Sequence, residues 1–209
     1  MLKLIFSLIL AVAVANSAEV KPKNGCILSQ DGKVFVKFEA HKTPSNKAVG
    51  GQFEDVKFTP AALSGNNFRE IFVGSSFVIN SKSAVLKTKE KEKESELMKF
   101  FFDNMNIDNI KAKIVDIKSD AIVKGKPKTG KFFVDMQING AVKNIPMDFK
   151  FDAGELTANG VLDVSAFDSS LIFELVNQEF VRQHKERVLK SVDIGFRTKI
   201  KSDLCYVSK

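Results

Sequence analysis

The chain has two histidines and two cysteines, so acid–base, nucleophilic or metal chemistry would have to be assembled from His41, His184, Cys26, Cys205 and the carboxylates around them. Neither histidine belongs to an HExxH pair, there is no CxxC, and no carboxylates cluster at metal-ligand spacing. No GxSxG elbow occurs, and no Gly-rich loop sits between a strand pattern and a helix pattern. Asp163 and Asp168 could serve as an acid and a base, yet their positions fit an outward strand residue and a helix cap better. His184 lies in Arg-Gln-His-Lys-Glu-Arg near the end of a helical pattern, where the helix dipole favours a cation, and reads as part of an exposed polar face. The sequence therefore names no catalytic residue, metal ligand or cofactor site.

The elements that would position a site are mostly strands. Lys131 to Phe167 holds three alternating runs separated by turn residues and predicts a β-meander. Phe132, Val134, Met136 and Ile138 share one face of the first run. After Asn139-Gly140, the second run places Ile145, Met147, Phe149 and Phe151 together. After Ala153-Gly154, the third does the same with Leu156, Ala158, Gly160, Leu162 and Val164. Upstream, Lys33 to Ala40 predicts a first strand, and Ala48 to Thr59 an extended run in which Gly50 and Gly51 permit a bulge or bend. Phe68 to Lys82 is β-rich around Ser76 to Asn80, and Asn109 to Ser119 and Asp120 to Lys126 predict two more strands. Lys87 to Glu96 alternates charge and leads into Phe100, Phe101 and Phe102, reading as a solvated turn or short helix. Leu171, Phe173, Leu175, Val176 and Phe180 recur at helical spacing between Asp168 and Arg187, and Val192 to Ile200 predicts a last strand. About eight strands with one helix in the C-terminal half predict an all-β domain whose sheet closes or stacks.

Composition bears on what that sheet encloses. The chain has 19 Phe, one Tyr and no Trp, so its aromatic interior carries almost no hydrogen-bonding handle and suits hydrocarbon. Met1 to Ala18 combines a single cation, an apolar run and small residues before Glu19, the pattern of a secretory signal peptide cleaved after Ala18 or Ser17. The apolar run is too short to span a bilayer comfortably, so residues 19–209 are expected to form one domain without stable membrane insertion. The net charge of +7 comes from lysines scattered among acidic residues, and with the export signal it argues against a nucleic-acid partner. In an oxidising compartment Cys26 and Cys205 read as one disulfide, the alternative being two free thiols.

Gly32 to Phe53, GKVFVKFEAHKTPSNKAVGGQF, and Gln137 to Phe149, QINGAVKNIPMDF, resemble the opening strands and the strand-turn-Pro run of the YceI-like family of bacterial polyisoprenoid-binding, lipocalin-like proteins. Leu156 to Phe167, Phe180 to Lys185 and the ending Val192-Asp193-Ile194-Gly195-Phe196 are similar to its C-terminal half. The resemblance spans nearly all of residues 19–209. It implies an extended antiparallel eight-stranded barrel in the periplasm, often a dimer, holding a long isoprenoid chain in an apolar lumen.

Strand phase then proposes lining residues for a polyprenyl chain or an isoprenoid quinone: Val36, Phe38, Phe132, Val134, Met136, Met147, Phe149, Phe151, Leu162 and Phe196, with Phe100, Phe101 and Phe173 near an opening. The expected protein is a carrier without catalysis. The competing reading is an envelope structural or interaction protein whose barrel is filled by its own side chains.

Overall fold

The computed structural model describes residues 25–45, 47–87, 109–167 and 170–206, and all of their side chains except 25, 183, 184 and 204–206. The leader at 1–18, most of the charged run, and Phe100 and Phe101 lie outside the described residues. Among the described residues ten strands, all paired antiparallel, form one sheet: β1 (Gly25–Thr43), β2 (Ala48–Phe53), β3 (Val56–Thr59), β4 (Ser76–Asn80), β5 (Ala84–Leu86), β6 (Asn109–Ser119), β7 (Lys128–Ile138), β8 (Ala141–Asp152), β9 (Glu155–Asp163) and β10 (Arg187–Tyr206). Among the described residues two α-helices accompany it, α1 (Phe68–Phe72) and α2 (Ser170–His184).

The sheet order is β3-β4-β6-β7-β8-β9-β10-β1-β2-β5. β2 and β3 are one extended segment interrupted only at Glu54 and Asp55, yet β2 pairs with β1 and β3 pairs with β4 near the other flank. The sheet is therefore curled into a half-barrel whose flanks are joined by two runs of chain, β2 to β3 through Glu54–Asp55 and β4 to β5 through Ser81–Ser83. At the junction the Glu54 N–H donates to Ser83 O and the Asn80 N–H to Asp55 O, both at 3.1 Å. The all-β, lipocalin-like expectation holds, but with ten strands in place of about eight: the break at Glu54–Asp55 splits one predicted strand, the three-residue β5 adds another, and the strand expected over 120–126 does not form.

Three local expectations change for physical reasons. The first half of the β-rich stretch at Phe68 is helical, because Asn67 caps it: the Glu70 N–H donates to Asn67 Oδ1 at 3.0 Å, and Asn67 Nδ2 donates back to Glu70 Oε1 at 2.8 Å. The Glu70 carboxylate also accepts from the Asn66 N–H at 2.8 Å, a variant of the capping box in which the acid bonds the residue before the cap and the cap's side-chain amide. Residues 120–126 form an exposed connection, since Ile122 and Val123 have no sheet face to bury against. Gly50 and Gly51 keep regular register with β1, and Gly51 is needed for close approach: a Cβ there would lie 2.7 Å from the Phe38 ring. The meander turns do match their residues, with positive φ at Asn139 (50°) and Gly140 (84°), and at Ala153 (48°) and Gly154 (81°), as two-residue hairpins of this hand require.

Candidate functional site

The curled sheet has one apolar inner face, and the two helices divide the space in front of it. At one end α1 drives Phe68, Ile71 and Phe72 into the interior, where all three are buried. Phe68 meets Phe149 and Phe151 edge-on at 5.9 and 5.1 Å between ring centroids, Phe72 meets Phe132 at 5.4 Å, and Phe132 stacks near Phe149 at 4.9 Å. This end is filled by rings.

The position of α1 is fixed by backbone and charge together. After α1 the Gly74 N–H donates to Ile114 O at 2.8 Å, and the Ile114 N–H donates to Ser75 O at 2.9 Å, tying the helix exit to β6. β6 shifts register between Ile114 and Asp116, and Asp116 accepts from Arg69 Nη2 of α1 at 2.6 Å. That hydrogen bond, then one from the Ile117 N–H, holds the Asp116 carboxyl below its ordinary range.

At the other end the interior is open. A cavity of about 170 Å³ lies among Val36, Phe38 and Ala40 of β1; Val134, Met136 and Ile138 of β7; and Val188, Val192, Ile194 and Phe196 of β10. Phe53, Phe77, Ile79, Ile110, Ala112, Met147 and Leu162 complete the sheet side. Val164, Phe167 and, from α2, Phe173 and Val176 close over it. Apart from Lys37 and Gly195, which face each other in register on β1 and β10, every lining residue carries an apolar side chain. Phe196 forms the floor between the two ends, 5.3 Å from Phe77 and 5.7 Å from Phe132.

The lid is anchored by buried polar contacts. Asn177 of α2 is fully buried; its Nδ2 donates to Val188 O at 3.2 Å, and its Oδ1 accepts from the Val188 N–H at 2.7 Å. Beyond the helix, Lys42 Nζ lies 3.2 Å from Glu186 Oε2 and 5.6 Å from the centre of the Phe180 ring. A hydrogen bond from Ser45, then one from Lys42, holds the Glu186 carboxyl below its ordinary range.

Of the residues proposed from strand phase, Val36, Phe38, Val134, Met136, Met147, Leu162, Phe173 and Phe196 lie on the cavity. Phe132, Phe149 and Phe151 do not. They share the predicted inner face but belong to the filled end, because α1 occupies the space in front of them. Sequence phase missed Ala112, Ile110, Val176 and Val192 among others, and a signal for the division existed in Asn67-Phe68-Arg69-Glu70. The fold also gathers Glu39, His41 and Asp193 on the outer surface, a juxtaposition invisible in sequence.

The site is thus an apolar cavity in front of a barrel-like antiparallel sheet, covered on one side by α2. No family model matches the chain, nor does any curated protein. Among solved structures, the chain is similar to a polyisoprenoid binding domain from Saccharophagus degradans implicated in plant cell wall breakdown, with a TM-score of 0.50 at 11% identity over 84% of this chain and 98% of that one. It also aligns with Burkholderia cenocepacia BcnA (TM-score 0.48, 16% identity, 79% of this chain and 96% of that one). A third alignment is with the Campylobacter jejuni YCEI protein (TM-score 0.44, 13% identity, 74% and 84%). The chain shares the fold of that polyisoprenoid binding domain, in line with the lipocalin-like fold that the sequence resemblance implied.

Proposed function

We propose that this protein is an exported, non-catalytic binding or carrier protein for a long apolar isoprenoid lipid, a polyprenyl chain or an isoprenoid quinone, working in the periplasm. The observation that carries the reading is the cavity itself, lined by apolar side chains apart from Lys37 and Gly195. Such a wall gives affinity by removing hydrocarbon from water, about 25 cal/mol per Å² buried, and apart from the exposed Lys37 gives a polar head group no charged side-chain partner. The lipid then enters tail first and leaves its head group at the rim.

Cavity size refines the proposal. An engineered cavity of about 150 Å³ accommodates benzene, so about 170 Å³ holds only part of a polyprenyl chain. The rest extends past α2, or α2 shifts outward to admit it. The leader sequence supports export. The paired ends of β1 and β10 support a Cys26–Cys205 disulfide, since Gly25 faces Tyr206, Ile27 faces Asp203, and Cys26 is not a free thiol.

Native mass spectrometry of protein isolated from its own periplasm, followed by delipidation and re-addition of polyprenol or quinone, tests the reading. The expected result is a co-purified or re-acquired lipid that Met136→Glu loses. A protein that carries no lipid and takes none up would sink the proposal.

A further inference from the structure

We propose that Glu39, His41 and Asp193 form a divalent transition-metal site on the outer face of the sheet, separate from the cavity and independent of the lipid reading. Glu39 and His41 stand two residues apart on β1 and so share its outer face, while Asp193 is the register partner of Glu39 on β10. The β1–β10 register shifts between Ala40 and Lys42 with the extra residues on β10, while β1 keeps its alternation, so His41 stays on the same face as Glu39. His41 Nε2 lies 2.8 Å from Asp193 Oδ2 and 3.8 Å from Glu39 Oε1, and the three donor atoms fall within 4.8 Å of one another. Tetrahedral ligation at about 2.0 Å per bond places donors roughly 3.3 Å apart, so rotamer adjustment of about an ångström converts the cluster into three ligands.

The charge pattern supports a cation. The chain is strongly basic, yet among the described residues no lysine or arginine forms an ion pair with Glu39 or Asp193; their partner in each case is His41. One side of the cluster is open, because Gly50 faces Glu39 and Ala48 faces His41 on β2. That space suits a water as the fourth ligand. The metal would take the Nε2 lone pair of the tautomer that carries its proton on Nδ1. One imidazole with two carboxylates fits zinc and its neighbours in the first transition row better than calcium or magnesium, which bind oxygen alone.

The pleat couples this site to the wall behind it. Phe38 and Ala40 flank Glu39, and Val192 and Ile194 flank Asp193, and all four line the cavity. A metal here clips together the two strands that form one cavity wall.

Zinc titration of the purified full-length protein against a chromophoric chelator, with histidine-selective NMR, decides the matter. The expected result is one equivalent of zinc bound, with the His41 ring signals shifted. His41→Ala should abolish binding, Glu39→Gln and Asp193→Asn should weaken it at least about tenfold, and His184→Ala should leave it intact. The isosteric Glu39→Gln and Asp193→Asn changes keep the test sound if His41→Ala folds poorly. No zinc binding, binding undiminished in Asp193→Asn, or shifts at His184 alone would overturn the site.

Discussion

The two ends of this protein's interior are built by the same strands and do opposite things. β7 contributes Phe132 to the filled end and Val134, Met136 and Ile138 to the cavity; β8 contributes Phe149 and Phe151 to the first and Met147 to the second. The difference comes from the helices. α1 pushes its own rings inside and fills the space, whereas α2 lies across the mouth and presents Phe173 and Val176 to the cavity. One end is filled by the protein's own rings, and the other holds the cavity proposed to take the lipid.

The strongest way to break this contrast is to mutate each end and ask which property fails. Phe72→Ala and Phe132→Ala remove rings with no solvent exposure and should each lower stability by about 3–5 kcal/mol in chemical denaturation. They should leave the cavity's affinity for lipid largely unchanged under folding conditions. Val134→Phe extends into the cavity and should change stability by less than about 1.5 kcal/mol while eliminating lipid uptake. Equal losses of uptake at both ends would erase the distinction.

The chain ends sharpen the contrast. Leu28 of β1 bridges Gly65 just ahead of α1, which places the Cys26 region at the filled end. The proposed Cys26–Cys205 disulfide lies at that end, so replacing both cysteines by serine should lower stability by about 2–5 kcal/mol and leave uptake intact. At the lid, Asn177→Ala leaves a backbone donor and acceptor of Val188 without their partner, and should lower stability by about 1–3 kcal/mol and speed lipid release in stopped-flow exchange.

The smallest effect is a pH dependence shared by both helices' anchors. Asp116 and Glu186 are held below their ordinary values of 3.8 and 4.5, so each binds fewer protons folded than unfolded. Their contribution is complete above the ordinary carboxylate range and is lost as the pH falls through the lowered folded-state values. The melting temperature should be flat from neutrality to about pH 5 and decline below about pH 4. Asp116→Asn should flatten that decline while lowering the neutral-pH value slightly.

Much of this architecture was legible in the sequence. Alternation in the meander identified the inward faces of β7, β8 and β9, and the Asn-Gly and Ala-Gly pairs placed the turns, because a two-residue period and positive-φ turns are local properties. The division of the interior was not local. Phe132 and Val134 follow the same alternation, and only the placement of a five-residue helix distant in sequence assigns one to the plug and the other to the cavity. Strand count failed for a similar reason, since Glu54–Asp55 continues an extended run while its hydrogen-bonding partner changes. The Glu39, His41 and Asp193 cluster depends on pairing β1 with β10, which no spacing in the chain reveals.

Methyl NMR of methionine- and isoleucine-labelled protein titrated with a polyprenol tests the central contrast most directly. The two-ended interior predicts shifts at Met136, Met147, Ile110 and Ile194, with Ile71 and Ile117 unmoved. Shifts at Ile71 and Ile117, or none at Met136 and Met147, would contradict it.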